Sequence, residues 1–205
     1  MSEILFNLLS SWPGLMGRPD RSLVEDSLVL LEFLPPGVLR VVDVGSGGGL
    51  PGLPLKLARP ELRMTLIEAN QRKAAFLVQA AARLGLEGVA VVARRAEEAG
   101  QDPAHRERYD VAVARALAPM AVLVELCLPL VSVGGCLLAM KADAAAEAER
   151  STEAIRLLGG ALVEVSAAAS EARSLGQVVV VRKVGPTPAR FPRRSGIPSR
   201  RPLSG

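Results

Sequence analysis

The sequence predicts a doubly wound α/β domain whose mostly parallel seven-stranded sheet closes with a terminal antiparallel hairpin. Three observations carry this expectation. Short apolar runs alternate with helical patterns from Leu39 to Leu158. The first run, Val41-Val42-Asp43-Val44, turns straight into the glycine loop Gly45-Ser46-Gly47-Gly48-Gly49-Leu50-Pro51-Gly52, as a parallel strand does before a helix whose amides face a ligand. The alternation then stops at Ala161–Val165 and Gln177–Val184, two apolar runs joined by an Ala/Ser loop without helical period.

In chain order, Ile4, Leu5, Leu8 and Leu9 suit a short amphipathic turn stopped by Pro13 and Gly14. Ser22 to Phe33 reads as a helix with an apolar face, ended by Pro35-Pro36. A strand at Leu39–Val44 precedes the glycine loop and a helix from Pro51 to Ala58. Arg63–Ile67 is the second strand, ending at Glu68. Asn70 can cap a helix through Leu84, with Gly85 just past its end. Val89–Val92 is the third strand, and Ala96-Glu97-Glu98 starts a short helix or turn. Val111–Ala114 ends at Arg115, and Pro119 opens a helix to Leu130. Gly135–Met140 ends at Lys141, and one Ala/Glu-rich helix fills Ala142–Leu158. The organisation is a short helical extension over 1–36, a domain over 37–185 and a basic Pro/Arg-rich tail over 186–205.

Composition narrows the class. The chain of 205 residues is 49% apolar but only 3% aromatic, which predicts a single aliphatic core. No apolar run reaches the length of a membrane span. Glu3 and the lack of an early basic cluster argue against a secretory signal, so a cytoplasmic protein is expected. Cys127 and Cys136 lie in apolar surroundings and read as reduced core thiols. His105, the only histidine, stands beside Pro103 and Arg106 in a polar loop, which disfavours both a Ser-His-Asp triad and a zinc site; no metal is expected. The net charge of +4 comes from the end of the chain: from Arg182 onward there are basic residues and no acid. That asymmetry predicts a polyanion met by one end of the molecule.

The ligand of the glycine loop is suggested by two departures from the dinucleotide pattern G-x-G-x-x-G/A. Counted from Gly45, the last position falls on Leu50. Asp43 puts a carboxylate within the strand, which opposes a pyrophosphate and suits a cation. S-adenosylmethionine carries an ammonium, a sulfonium and no phosphate, so it fits; a purely structural turn is the alternative. Gly45, Gly47 and Gly49 supply the loop with positive φ and room for a ligand.

Ligands of such sheets sit beyond the C-terminal strand ends. Glu68 there suits two ribose hydroxyls, or is a first-turn acid. Ala96 and Glu97 suit an adenine, or Glu97 is a solvated helical acid. Arg115 emerges from a buried strand to orient cofactor or substrate, or pairs with Asp110 or Glu125. Lys141 reaches toward the substrate, or snorkels from a strand end. In the tail, Arg190, Arg193, Arg194, Arg200 and Arg201 stand among prolines that hold a chain extended, a spacing suited to successive phosphates. The alternative is a solvated, disordered basic end. Phe191 stacks on an unpaired base or anchors the tail, the second being favoured.

Asp43 to Gly52, Arg95-Ala96-Glu97-Glu98, Ala114-Arg115-Ala116 and the tail from Thr187 to Pro198 resemble the RsmG (glucose-inhibited division protein B) family. The resemblance runs from Asp26 to Leu203. It implies the class I S-adenosylmethionine-dependent methyltransferase fold and methyl transfer to guanine N7 of 16S ribosomal RNA, as free RNA or in the small ribosomal subunit. It also implies that Gly45, Leu50, Ala96, Glu97 and Arg115 bind the cofactor, with Leu50 near its methionine part and Arg115 where cofactor and base meet. Nothing in the sequence calls for more than a monomer. The chain departs from the family at a short N-terminal region, at Leu23 in place of a histidine, at Lys141-Ala142 for Lys-Gly and at Gly176-Gln177 for Arg-His. Two rival readings are a non-catalytic RNA-binding protein that kept the fold, and an NAD-type oxidoreductase, disfavoured by Leu50 and Asp43. The chain offers no evident general base or cysteine nucleophile. In-plane attack by N7 needs no proton removed, so rate would come from alignment, worth up to about 7–11 kcal/mol.

Overall fold

The computed structural model describes residues 2–12, 15, 20–37, 39–142 and 144–203. Its sheet contains β1 (Arg40–Val44), β2 (Arg63–Ile67), β3 (Val89–Val92), β4 (Tyr109–Arg115), β5 (Val131–Lys141), β6 (Gly160–Ala167) and β7 (Gln177–Lys183). The order is β3-β2-β1-β4-β5-β7-β6. The first five strands are parallel, and β7 runs antiparallel to both β5 and β6. The order reverses between β1 and β4, so the loops leaving these two strands diverge and open a crevice.

Helices cover both faces, which is why β1 reads as an almost unbroken aliphatic run. Val41, Met64, Leu66, Val111 and Val113 pack under α1 (Ser2–Ser11), α2 (Arg21–Leu28), α3 (Gly52–Ala58) and α4 (Gln71–Arg83). Val42, Val44, Ile67, Ala112 and Ala114 pack under α5 (Ala96–Gln101), α6 (Met120–Cys127), α7 (Ala145–Arg150) and α8 (Thr152–Leu157). The two-residue period of a strand makes this division. Asn70 caps α4 as expected, its side chain accepting from Arg72 N and Lys73 N.

Several boundaries differ from the sequence reading: β4 and β5 start earlier, at Tyr109 and Val131 against the expected Val111 and Gly135, and four helical segments change. The Ser22–Phe33 helix ends at Leu28 and tightens into a 3₁₀ turn over Val29–Glu32. The helix from Pro119 likewise becomes 3₁₀ at Leu128–Leu130, where Pro129 has no N–H to continue it. The Ala142–Leu158 helix is split into α7 and α8. At the break the Ser151 hydroxyl donates to Glu147 O at 2.8 Å, competing with the backbone ladder. The N-terminal turn is a full helix, α1; the expected stop at Pro13 and Gly14 falls outside the described residues.

The largest correction concerns the tail. It is neither free nor simply extended, but folds back over α5 and α6. Phe191 is buried in the core of that face, so it anchors. Gly100 lies directly beneath: a Cβ there would come within 2.8 Å of Pro192 Cγ. The Arg106 guanidinium donates to the carbonyls of Gly100, Thr187 and Phe191, and Gln101 donates to Pro192 O. Lys183, fully buried, donates to Thr187 Oγ1, Glu107 and the carbonyls of Leu128 and Val131. Its donors are thus satisfied, as a buried ammonium requires.

Candidate functional site

The crevice at the C-terminal strand ends holds a cleft of about 210 Å³ on the α5–α8 side of the sheet. Gly45 and Gly47 of the loop, Ile67, Glu68 and Ala69 beyond β2, Arg94 to Glu97, and Ala116, Leu117 and Leu126 line it, with Lys73 of α4. An apolar slot of Ile67, Leu117 and Leu126 is therefore flanked by two carboxylates. The loop is closely fitted: a Cβ on Gly45, at φ +71°, would lie 2.4 Å from Leu117 Cδ1. Ala116 also holds a left-handed conformation, φ 50°, at the exit of β4.

The loop's amides do not wait for a ligand, contrary to expectation. Gly45 N and Ser46 N donate to Ile67 O, and Gly49 N and Leu50 N to Ser46 O. Gly47 N donates to Glu68 Oε2 at 2.8 Å, and Gly52 N to Asp43 Oδ2 at 3.0 Å. A pyrophosphate cradle needs those donors free. The argument against a dinucleotide thus holds, but on the committed amides and on Glu68 rather than on Asp43.

Asp43 itself is turned away. It shares its strand face with Val41, toward α1–α4, and is buried beneath the start of α3. Burial pushes its carboxyl up to about 7, against the Gly52 amide and the nearby Arg115 charge, which favour the ionised form. Its Oδ1 is buried without a partner. The expectation that Asp43 meets a cationic ligand is corrected: this carboxyl pins the loop. The Leu50 side chain is likewise off the cleft lining, buried with Leu53 and Leu77 in the core below α3 and α4.

Glu68 is placed as expected, at the cleft. Its oxygens accept from Gly47 N and Asn70 N. An ionised carboxylate has about four acceptor sites, so it can still take hydroxyl protons. Ala96 and Glu97 also line the cleft, but Glu97 is buried rather than solvated. Burial opposes its ionisation; the Gly196 amide, its own amide and Arg95 outweigh that and hold the carboxyl below the usual range. Glu97 Oε1 accepts from Gly196 N at 2.9 Å and Arg95 Nη2 at 3.1 Å. The cleft wall is thereby joined to the tail.

Arg115 and Lys141 are not open cations. Arg115 faces α2, where Nη1 donates to Leu23 O at 2.8 Å and lies 3.5 Å from Asp26 Oδ2. Burial lowers its pKa, with Asp26 and Asp43 opposing. Asp26, fully buried, also accepts from Ser170 Oγ and from Arg173 Nε at 2.8 Å. Neither pairing considered from sequence occurs: Asp110 accepts from Arg40 N, and Glu125 belongs to the tail. Lys141 Nζ bonds Ala118 O and Glu147 on the other face. Arg193, expected to meet phosphate, is corrected too: it grips the fully buried Glu125 through its backbone N, Nε and Nη2. Arg190, Arg194, Arg200 and Arg201 stay exposed, with Arg190 over the Phe191 ring.

Sequence reasoning missed Asp26 and Arg173 and considered Glu125 only as a partner of Arg115. In each case the partner lies far along the chain and no local spacing reveals it. It also missed Lys73, Arg94 and Arg95 as cleft residues. Among the described residues no group of His, Cys, Asp and Glu is arranged to hold a metal.

The family described as rRNA small subunit methyltransferase G (GidB) matches residues 20–176. A ribosomal RNA small subunit methyltransferase G from Pelotomaculum thermopropionicum is 48% identical over 184 residues, covering 87% of this chain and 76% of the relative. One from Roseiflexus castenholzii is 50% identical over 165 residues, covering 80% and 70%. Among solved structures, the T. thermophilus 16S rRNA methyltransferase RsmC in complex with AdoMet and guanosine aligns with TM-score 0.54 at 18% identity, over 80% of this chain and 40% of that one, which bears on the fold alone. The family match spans the glycine loop, both cleft carboxylates and the Asp26–Arg173 contact, and on that ground the chain belongs to the rRNA small subunit methyltransferase G (GidB) family of S-adenosylmethionine-dependent methyltransferases.

Proposed function

We propose that the protein methylates a guanine N7 of 16S ribosomal RNA, in free RNA or in the small subunit, as a cytoplasmic monomer. The observation that carries the cofactor half is the cleft itself. Its apolar slot suits a purine, and its flanking carboxylates suit a diol and a cationic ligand, while the loop's spent amides leave a pyrophosphate little to bind. Bound there, S-adenosylmethionine supplies an electrophilic methyl on a sulfonium.

Gly45 and Gly47 give the ligand close access to the backbone, and Glu68 accepts the hydroxyls. Ala96 leaves space for the ring, and Leu117, Leu126 and Ile67 exclude water from it. Glu97 fixes the cleft wall through Gly196. The cleft's titratable side chains are Glu68, Lys73, Arg94, Arg95 and Glu97; both carboxylates are already hydrogen-bonded, so neither is an evident general base. In-plane attack by N7 does not need one. Arg115 is a positioning residue, holding α2 to the end of β4 through Leu23 and Asp26.

Incubation with methyl-labelled S-adenosylmethionine and unmethylated small subunits or naked 16S RNA tests the reading. The expected product is one 7-methylguanine, located by chemical cleavage of the RNA. Glu68→Ala is expected to weaken cofactor binding about tenfold, corresponding to about 1.4 kcal/mol by calorimetry. Label on another atom, or in no RNA, rejects the substrate assignment.

A further inference from the structure

We propose that the phosphate backbone of the substrate RNA crosses the mouth of the cofactor cleft along Lys73, Arg94, Arg95 and Arg194, so that bound RNA covers the cofactor. The proposal rests on the RNA methyltransferase reading above. Three of these cations line the cleft. S-adenosylmethionine has a single carboxylate and no phosphate, so its binding does not require all three.

Their pairing leaves them available to solvent. Arg94 donates one Nη to Asp102 while its side chain stays 54% exposed; Arg95 donates one Nη to Glu97 and stays 48% exposed. The acids nearby are engaged elsewhere: Glu68 with Gly47 N and Asn70 N, Glu97 with Gly196 N and Arg95, Glu98 with Ser195 Oγ. The last two contacts bring the tail to the same rim. They place the exposed Arg194, a hundred residues away in sequence, beside the first turn of α5. The cleft lining thus carries three cations, and a fourth, exposed one lies in the tail segment that meets α5 beside it. A polyanion laid over the cleft is the partner this charge fits.

The test uses the full chain, unmethylated small subunits and S-adenosylmethionine, with Lys73→Ala, Arg194→Ala, their double variant and Arg83→Ala as a control on an exposed basic residue at the far end of α4. All four change solvent-facing or half-buried side chains, and circular dichroism and calorimetry of cofactor binding verify that each is folded. The expected result is a cofactor Kd within about twofold of the parent for Arg194→Ala, which lies outside the cleft lining, a KM for subunits raised about tenfold in the double variant, and a log K against log salt slope shallower by about one unit per cation removed. Arg83→Ala keeps the parental slope. In the unmodified protein, saturating subunits slow release of S-adenosylmethionine about fivefold or more, an estimate set by how open the covered mouth remains. An unchanged salt slope, an equal effect of Arg83→Ala, cofactor release indifferent to RNA, or a loss confined to cofactor affinity overturns the track. If the unmodified protein binds cofactor but neither binds nor methylates the subunits, the substrate reading has failed and the track falls with it; normal methylation with a parental slope in the double variant removes the track alone.

Discussion

The two ends of the chain are tied to opposite faces of the sheet by buried ion pairs, and the pairs are built in opposite senses. On the α1–α4 face the carboxylate, Asp26, belongs to α2, ahead of the sheet in the chain, and the arginines, Arg115 and Arg173, belong to the body. On the α5–α8 face the carboxylate, Glu125, belongs to the body, and Arg193 arrives with the tail. The difference lies in what each clamp leaves behind when it opens. Loss of the tail strands Glu125 in an apolar core. Loss of Asp26 leaves two guanidinium side chains 12% and 14% exposed, still bonded to the carbonyls of Leu23, Lys141 and Gln177. A cation with other acceptors tolerates separation better than a buried anion with one cationic partner.

Breaking the tail clamp is therefore expected to cost most. Arg193→Ala should destabilise by about 3–5 kcal/mol in urea unfolding, and adding Glu125→Gln should recover part of that loss. Asp26→Ala should cost less, about 1–3 kcal/mol, with a larger fall in methyl transfer than in stability because Arg115 loses its setting. A loss for Asp26→Ala above that of Arg193→Ala would invert the comparison. Smaller still, Gly100→Ala drives a methyl toward Pro192 and should cost about 1–2 kcal/mol while weakening cofactor binding through Gly196 and Glu97.

The remaining effects are pH-dependent and differ in sign. Glu97's folded pKa is depressed, so its contribution is present above the ordinary glutamate value and disappears as pH falls through the lower folded value. Asp43's folded pKa is raised to about 7 from 3.8, so the folded chain keeps a proton the unfolded chain has released between those values. Stability therefore declines as pH rises across that interval, and Asp43→Asn should remove the decline while keeping an acceptor for Gly52 N. Urea midpoints of the parent and the two variants Asp43→Asn and Glu97→Gln across this range check both signs.

Much of the site was legible before any coordinates. Glu68 and Ala96 occupy the cleft because strand ends and the alternation of strands and helices are local features. Glu97 was placed correctly but taken for a surface acid as readily as a site residue, since its Gly196 partner lies 99 positions away. Asp43 was assigned to the cofactor from its charge, and Leu50 and Arg115 from the family resemblance. Their side chains go to the other face. Strand alternation could have shown this for Asp43 and Arg115, had the face of the cleft been known.

The amino-acid sequence by itself determined the seven strands, their alternation with helices, the glycine loop and the Asn70 cap, because each follows from hydrophobic period, backbone φ or a side chain reaching its own helix end. Tertiary structure alone decided which buried charges meet. Asp26 with Arg173, Glu125 with Arg193 and Lys183 with Glu107 are separated by 68 to 147 positions. Such pairs are selected by the burial of both partners at one point in space, and one-dimensional spacing contains no record of it.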